Sequence, residues 1–256
     1  MNHPARDLLE EIDWYGQHEF DFVDLALEPP CADPDTIDLA AVKDKLAQYK
    51  MDVVIHCAWY LPICSPFATV RRAALVEFQK ALTIAQKLEA PLLTTHYMKP
   101  PSMFGHKESI AWHIDVLAPL CEEASSLGIK VAIENTPHSG SNQIRNLAAI
   151  LREIPSLYLH LDSGHAKLEV GTDRFDQYLK KLGDRLIHVH LSENDGFADQ
   201  HLPLASVPRS RTDWPTLVAN LKASGYDGTI TLEVFADERR FILFSRDLLQ
   251  EWWQNA

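Results

Sequence analysis

Hydrophobic runs recur along the chain, and each carries a polar residue able to do chemistry at or near its end. Longer segments with helical spacing separate them. The runs predict strands at Phe20–Glu28, Asp52–Cys57, Leu92–His96, Ile129–Glu134, Leu157–Asp162, Leu186–Leu191 and Thr229–Val234. Helices are predicted at Asp7–Tyr15, Asp38–Tyr49, Pro66–Glu89, Lys107–Leu127, Asn142–Glu153, Arg174–Leu182, Asp213–Ala223 and Glu238–Trp253. Pro29 and Pro30 end the first run, because proline cannot donate to a sheet ladder. Gly128 suits the position just after a helix, and Asp213 suits the cap of a helix opening on Trp214-Pro215. Ser192–Arg211 is irregular.

Strands that alternate with helices form a parallel sheet. No linker or composition shift divides the chain, so a single domain over residues 1–256 is expected. The predicted class is α/β, a TIM-type (β/α) barrel. Only seven strands are counted, and the chain opens on a polar stub and a helix. The first strand is therefore expected to be missing or poorly formed at Met1–Arg6, with a gap there.

Composition narrows the classes. Apolar residues make up 46% and charged residues 23% of 256, an ordinary globular balance with enough chain for a large core. No apolar run is long enough to span a bilayer, and the N-terminus lacks a secretory pattern. Cys31, Cys57, Cys64 and Cys121 form no CxxC pair, so a reducing cytoplasm is the simplest location. A formal net charge of −12 disfavours nucleic acid and membrane surfaces as partners, leaving a small-molecule substrate. A homo-oligomer stays open.

His56, His96, Glu134, Asp162, His190 and Glu233 stand at or near strand ends, His165 lies three residues past Asp162, and Asp199 and His201 form a DxH pair. In a barrel these positions converge on the end where the loops build the site. Imidazoles with carboxylates suit a divalent ion, zinc or manganese. Nine ligands exceed one ion's needs, and Glu134 could bridge two, so one ion or two to three ions remain open.

IENT (133–136), LDSGH (161–165), HVHLSEND (188–195), DQHLP (199–203) and GYDGTITLEV (225–234) together resemble the xylose isomerase-like TIM-barrel superfamily, which includes sugar isomerases, epimerases and endonuclease IV. The resemblance implies a single-metal quartet of Glu134, Asp162, His190 and Glu233, with the two glutamates as the acid–base pair and His165 touching substrate. The endonuclease IV pattern implies three metals. His56, His96 and Glu134 would hold the first, the quartet the second, and His165, Asp199 and His201 the third. Two departures stand out. The loop after the DxH pair, LPLASVPRSRTDW, has no glycine, and no counterpart of the DNA-inserting loops is evident.

The remaining candidates are weaker. Trp59, Tyr60, Tyr97 and Phe104 could wall a sugar ring, and Lys99 could contact an anion, so Trp59 and Lys99 join His165 as candidate substrate contacts. Arg209 and Arg211 are a weak phosphate hint. His160 and His188 share the parity of the strand-end ligands two residues deeper, and are expected in the core or behind the ligands. His3, His18, His106, His113 and His138 are expected on the surface or in loops. The Trp252–Trp253 pair is expected to pack the last helix.

The leading expectation is a metal-dependent isomerase or epimerase of a small sugar or polyol. It would work through a metal-stabilised enediolate, with Glu134 and Glu233 moving the proton. The alternative is an endonuclease IV-like multi-metal phosphodiester or phosphate-ester hydrolase. A non-catalytic metal-binding barrel is the third.

Overall fold

A computed structural model describes residues 1–137, 143–168, 174–208, 210 and 212–256. Its elements in chain order are α1 (Leu8–Gln17), β1 (Phe22–Leu27), α2 (Leu39–Tyr49), β2 (Asp52–Cys57), α3 (Ala68–Leu88), β3 (Leu92–His96), α4 (His106–Ser126), β4 (Lys130–Glu134), α5 (Gln143–Glu153), β5 (Leu157–Asp162), α6 (Ser163–Lys167), α7 (Phe175–Leu182), β6 (Leu186–Leu191), α8 (Trp214–Ala223), β7 (Thr229–Leu232) and α9 (Arg240–Asn255). The strands follow one another in sheet order β1 to β7, and the registers of β1–β2, β2–β3, β5–β6 and β6–β7 are parallel. Consecutive parallel strands with helical crossovers make this an α/β chain of TIM-barrel type with seven strands among the described residues. Among those residues, no helix is long and apolar enough to cross a membrane.

The described residues group into two compact units. One is Met1–Ile133 with Arg152–Leu157, and the other is Glu134–Leu151 with Tyr158–Ala256. The chain passes from the first to the second within β4.

Among the described residues of the first unit no strand precedes β1, as expected from the polar start of the sequence. Asn2 does part of that strand's work. Its backbone N–H donates to Asp24 O at 3.2 Å, its side-chain oxygen accepts from Ala26 N at 2.7 Å, and its side-chain amide donates to Ala26 O at 3.4 Å. One buried amide thereby satisfies ladder groups that would otherwise be orphaned. Asp7 and Asp38 cap α1 and α2 by accepting from Glu10 N and Ala41 N, both at 3.0 Å. The core holds Val23, Leu25, Val53, Ile55 and Leu93 from the strands, with Phe78, Leu82 and Ala85 from one face of α3.

His113, expected at the surface, is fully buried in this unit. It falls on the inner face of α4 with Ser109, Val116, Leu117 and Leu120. Its Nδ1–H donates to Ser109 O at 2.7 Å, Nε2 accepts from Met98 N at 3.0 Å, and the ring stacks on Tyr97 with centroids 4.7 Å apart. Burial pushes its pKa down to about 4 against the Ser109 hydrogen bond, so the ring stays neutral.

In the second unit, Leu159, Leu161, Val189 and Leu191 fill one side of β5 and β6 while Leu217 and Leu221 come from α8. Asp213 caps α8 as expected, accepting from Thr216 N at 3.3 Å. Trp252 of α9 stacks on Trp214 of α8, with centroids 6.1 Å apart and planes 5° from parallel.

Candidate metal centre

Strand pleating decides which side chains meet. In the second unit β5 and β6 pair with His160 opposite His188 and Asp162 opposite His190. Alternation sends the leucines and Val189 to one face and the imidazoles and carboxylate to the other. Beyond the last paired residues of β7, Glu233 N donates to Leu191 O at 3.1 Å, so the glutamate still follows strand geometry. Glu134, Asp162, His190 and Glu233 each offer one ligand atom within 4.8 Å of the others, and all four are buried. His190 Nδ1 lies 3.0 Å from Glu233 Oε2.

Asp162 is held from several sides. Asn135 accepts from its N–H at 2.7 Å and donates to its carbonyl at 3.0 Å. Its Oδ1 accepts from His165 N at 2.5 Å and caps α6. Its Oδ2 is buried with no hydrogen-bond partner. The short helix α6 follows Asp162 directly. The space is tight there, since a Cβ on Gly164 would stand 2.7 Å from Ser192 Oγ.

A second set lies beside the quartet. His165 Nε2 is 3.0 Å from Asp199 Oδ2, His201 Nε2 is 3.5 Å from the same oxygen, and His201 Nδ1 is 3.5 Å from Glu233 Oε2. His165 Nδ1 lies 2.8 Å from Asn135 O and 3.1 Å from Glu134 Oε1. Behind them, His160 Nδ1 is 3.3 Å from Glu134 Oε2, and its ring meets that of His190 edge-on at 4.0 Å. His188 is hydrogen-bonded deeper in the strands, to Thr229 Oγ1 at 2.6 Å.

The electrostatics describe a site with more negative charge than it can easily hold. Burial pushes Asp162 up to about 7; His165 pulls it down, and Glu233 and Glu134 add to the rise. For Glu233 burial again raises the pKa, but His201 and His190 overcome it and hold the carboxyl at about 2. His165 is held well above its ordinary value, because Asp162, Asp199 and Glu134 outweigh its burial. Three buried carboxylates, one with an orphaned oxygen, and an adjoining imidazole are a donor set that a divalent cation fits.

The first unit brings His56 and His96 together, their Nε2 atoms 3.1 Å apart. His56 Nδ1 meets Thr94 Oγ1 at 2.8 Å and lies 3.7 Å from Asp24 Oδ1. Trp59 is 63% exposed and sets its ring edge-on to Tyr60. Lys99 is also exposed. Tyr97 is buried against His113, and Phe104 packs edge-on against Trp112, so neither is an open wall. Arg209, Arg211, His138 and Asn142 lie outside the described residues.

Two features had no sequence signal of their own. Asn135 ties β4 to β5 through one side chain, and only its place in IENT hinted at a role. Lys167 forms a fully buried ion pair with Glu193, although both read as ordinary charged residues.

The strand-end cluster of candidate ligands stands on a parallel (β/α) scaffold of TIM-barrel type. The sequence pattern of the xylose isomerase-like TIM barrel family matches residues 12–253, and the chain belongs to that family. An uncharacterised protein of Methanocaldococcus jannaschii is 26% identical over 96% of this chain and 84% of its own length. Fructoselysine 3-epimerase of Escherichia coli O157:H7 is 25% identical over 72% of this chain and 67% of its own. Among solved structures, a D-tagatose 3-epimerase-like protein superposes with a TM-score of 0.84 at 22% identity, covering 97% of this chain and 94% of the other.

Proposed function

We propose that this chain is a divalent-metal-dependent isomerase or epimerase of a small ketose or related polyol. The observation that carries the reading is the buried quartet of Glu134, Asp162, His190 and Glu233, two of whose members can move protons. The relatives support it, since fructoselysine 3-epimerase and the D-tagatose 3-epimerase-like protein carry sugar epimerases in their names.

Zinc or manganese held by the quartet would polarise a substrate carbonyl and stabilise the charge that develops beside it. The protein supplies the proton chemistry. Glu233, kept ionised by His201 and His190, takes the proton from the carbon next to the carbonyl. Glu134 stands among the same ligand atoms and returns a proton to that carbon. Asp162 and His190 would hold the ion, and His160 backs Glu134. His165 orients a substrate oxygen, and Trp59 and Lys99 are the further candidate substrate contacts. We place the protein in the cytoplasm, where its four thiols would stay free.

The test is a panel of ketoses, D-tagatose and D-fructose included, incubated in D2O with Mn2+-loaded protein. Epimerisation should put deuterium at the inverted carbon, and Glu134→Gln or Glu233→Gln should each cut kcat by about a hundredfold or more. Unchanged turnover in both variants would remove the mechanism.

The closeness of His165, Asp199 and His201 favours a second reading, a multi-metal phosphate-ester hydrolase. The His56–His96 pair carries two further ligands that the family resemblance assigns to a metal. Two or three ions per chain by elemental analysis, together with cleavage of an abasic-site duplex, would select it over the epimerase. The net charge of −12 opposes a duplex partner.

A further inference from the structure

Glu193 sits where three parts of the second unit meet. Its carboxylate accepts from Lys167 Nζ of α6, from Ser210 Oγ at 2.7 Å, from Trp214 Nε1 of α8 at 2.8 Å and from Asn194 N at 3.1 Å. Its backbone exchanges two hydrogen bonds with Leu202, N to O at 2.9 Å and O from N at 2.8 Å. Lys167 Nζ also donates to Thr212 Oγ1 at 3.3 Å. Asn194 reaches back to α6, donating to Gly164 O at 3.0 Å.

Burying two charges is expensive even when they are paired, so such a pair is poor evidence for stability alone. The better-attested use of a buried polar network is to fix one arrangement among alternatives. What this network joins is specific. On one side is α6, which Asp162 caps and which carries His165. On the other is the segment through His201 and Leu202, which presents Asp199 and His201.

We propose that the Lys167–Glu193 pair is a positioning device that sets where Asp199 and His201 stand relative to His165. It acts through the Leu202 and Ser210 contacts and touches no reacting atom. The proposal takes His165, Asp199 and His201 as site residues, and so rests on the functional reading above.

The test uses the metal-free full-length chain and 15N-edited NMR of histidine ring N–H groups at pH 6. His165 donates through Nε2 to Asp199, and its signal is identified by its loss in His165→Gln. The Lys167→Met/Glu193→Gln double variant removes both charges together, so no uncompensated ion remains buried. In it the His165 Nε2–H should exchange with water at least tenfold faster or vanish. The His113 Nδ1–H should persist and report that the first unit is folded, and a His188 ring N–H, beside Thr229 Oγ1, should persist and report the same of the second. An unchanged His165 signal beside intact His113 and His188 signals overturns the proposal. If the double variant loses either reporter as well, Ser210→Ala decides. It deletes one donor to Glu193 and should raise His165 exchange several-fold; no change there also overturns the proposal. The readout needs neither metal nor substrate, so failure of the epimerase reading would show separately, as absent turnover in the wild type.

Discussion

Asp162 uses its two oxygens for different ends. Oδ1 caps α6 and accepts from His165 N, whereas Oδ2 is buried without a partner. An aspartate at this position therefore builds the turn and offers a ligand, at the cost of charge repulsion from Glu134 and Glu233. Replacing it with asparagine keeps an oxygen for the cap and removes the charge. Asp162→Asn should accordingly stabilise the metal-free protein, by about 1 kcal/mol or more in urea titrations, while abolishing stabilisation by added Mn2+. His113 makes a separate prediction. Its folded pKa, about 4, lies below the ordinary 6.5, so the unfolded chain binds a proton that the folded chain refuses. Its contribution is complete above pH 6.5 and is lost as the pH falls toward 4. Between those limits the wild type should lose about 3 kcal/mol that a His113→Gln variant does not, read as the difference between their urea midpoints at each pH.

At the scale of elements, α6 is the most constrained. A methyl group on Gly164 would meet Ser192 Oγ at 2.7 Å. Gly164→Ala should therefore cost about 1–3 kcal/mol and displace His165, seen as loss of the His165 ring N–H signal. Asn135→Ala should cost about 2–3 kcal/mol, because it leaves the buried N–H and carbonyl of Asp162 without their partner. The strands and long helices were legible because period-2 and period-3.6 patterns are properties of consecutive residues. The quartet was legible because each member sits at or near a strand end, where parity fixes its direction. α6 was not legible, since five residues of SGHAK hold no apolar period and its start depends on a cap made by the preceding strand. His113 was misplaced for a related reason. A histidine on a helix reads as polar, and only its alignment with Val116, Leu117 and Leu120 marks it as inward-facing. The Lys167–Glu193 pair joins residues 26 positions apart, and no local pattern announces such a partner.

At the scale of the whole molecule, a net charge of −12 and a buried carboxylate cluster point the same way. A chain with this balance holds cations more readily than anionic polymers. Glu233 and Glu134 add to the rise that burial imposes on Asp162, so a cation bound at the quartet would relieve that repulsion and stabilise the fold. Free Mn2+ at about a hundred times its Kd should raise stability by about 2.7 kcal/mol, and a chelator should reverse the gain. The most direct test of the central claim, that Glu134, Asp162, His190 and Glu233 hold a divalent cation, is a calorimetric Mn2+ titration of the wild type against Glu233→Gln. The wild type should hold a tight ion that binds about a hundredfold or more weakly in the variant. An isotherm with no tight site, or one that Glu233→Gln leaves unchanged, would contradict that claim.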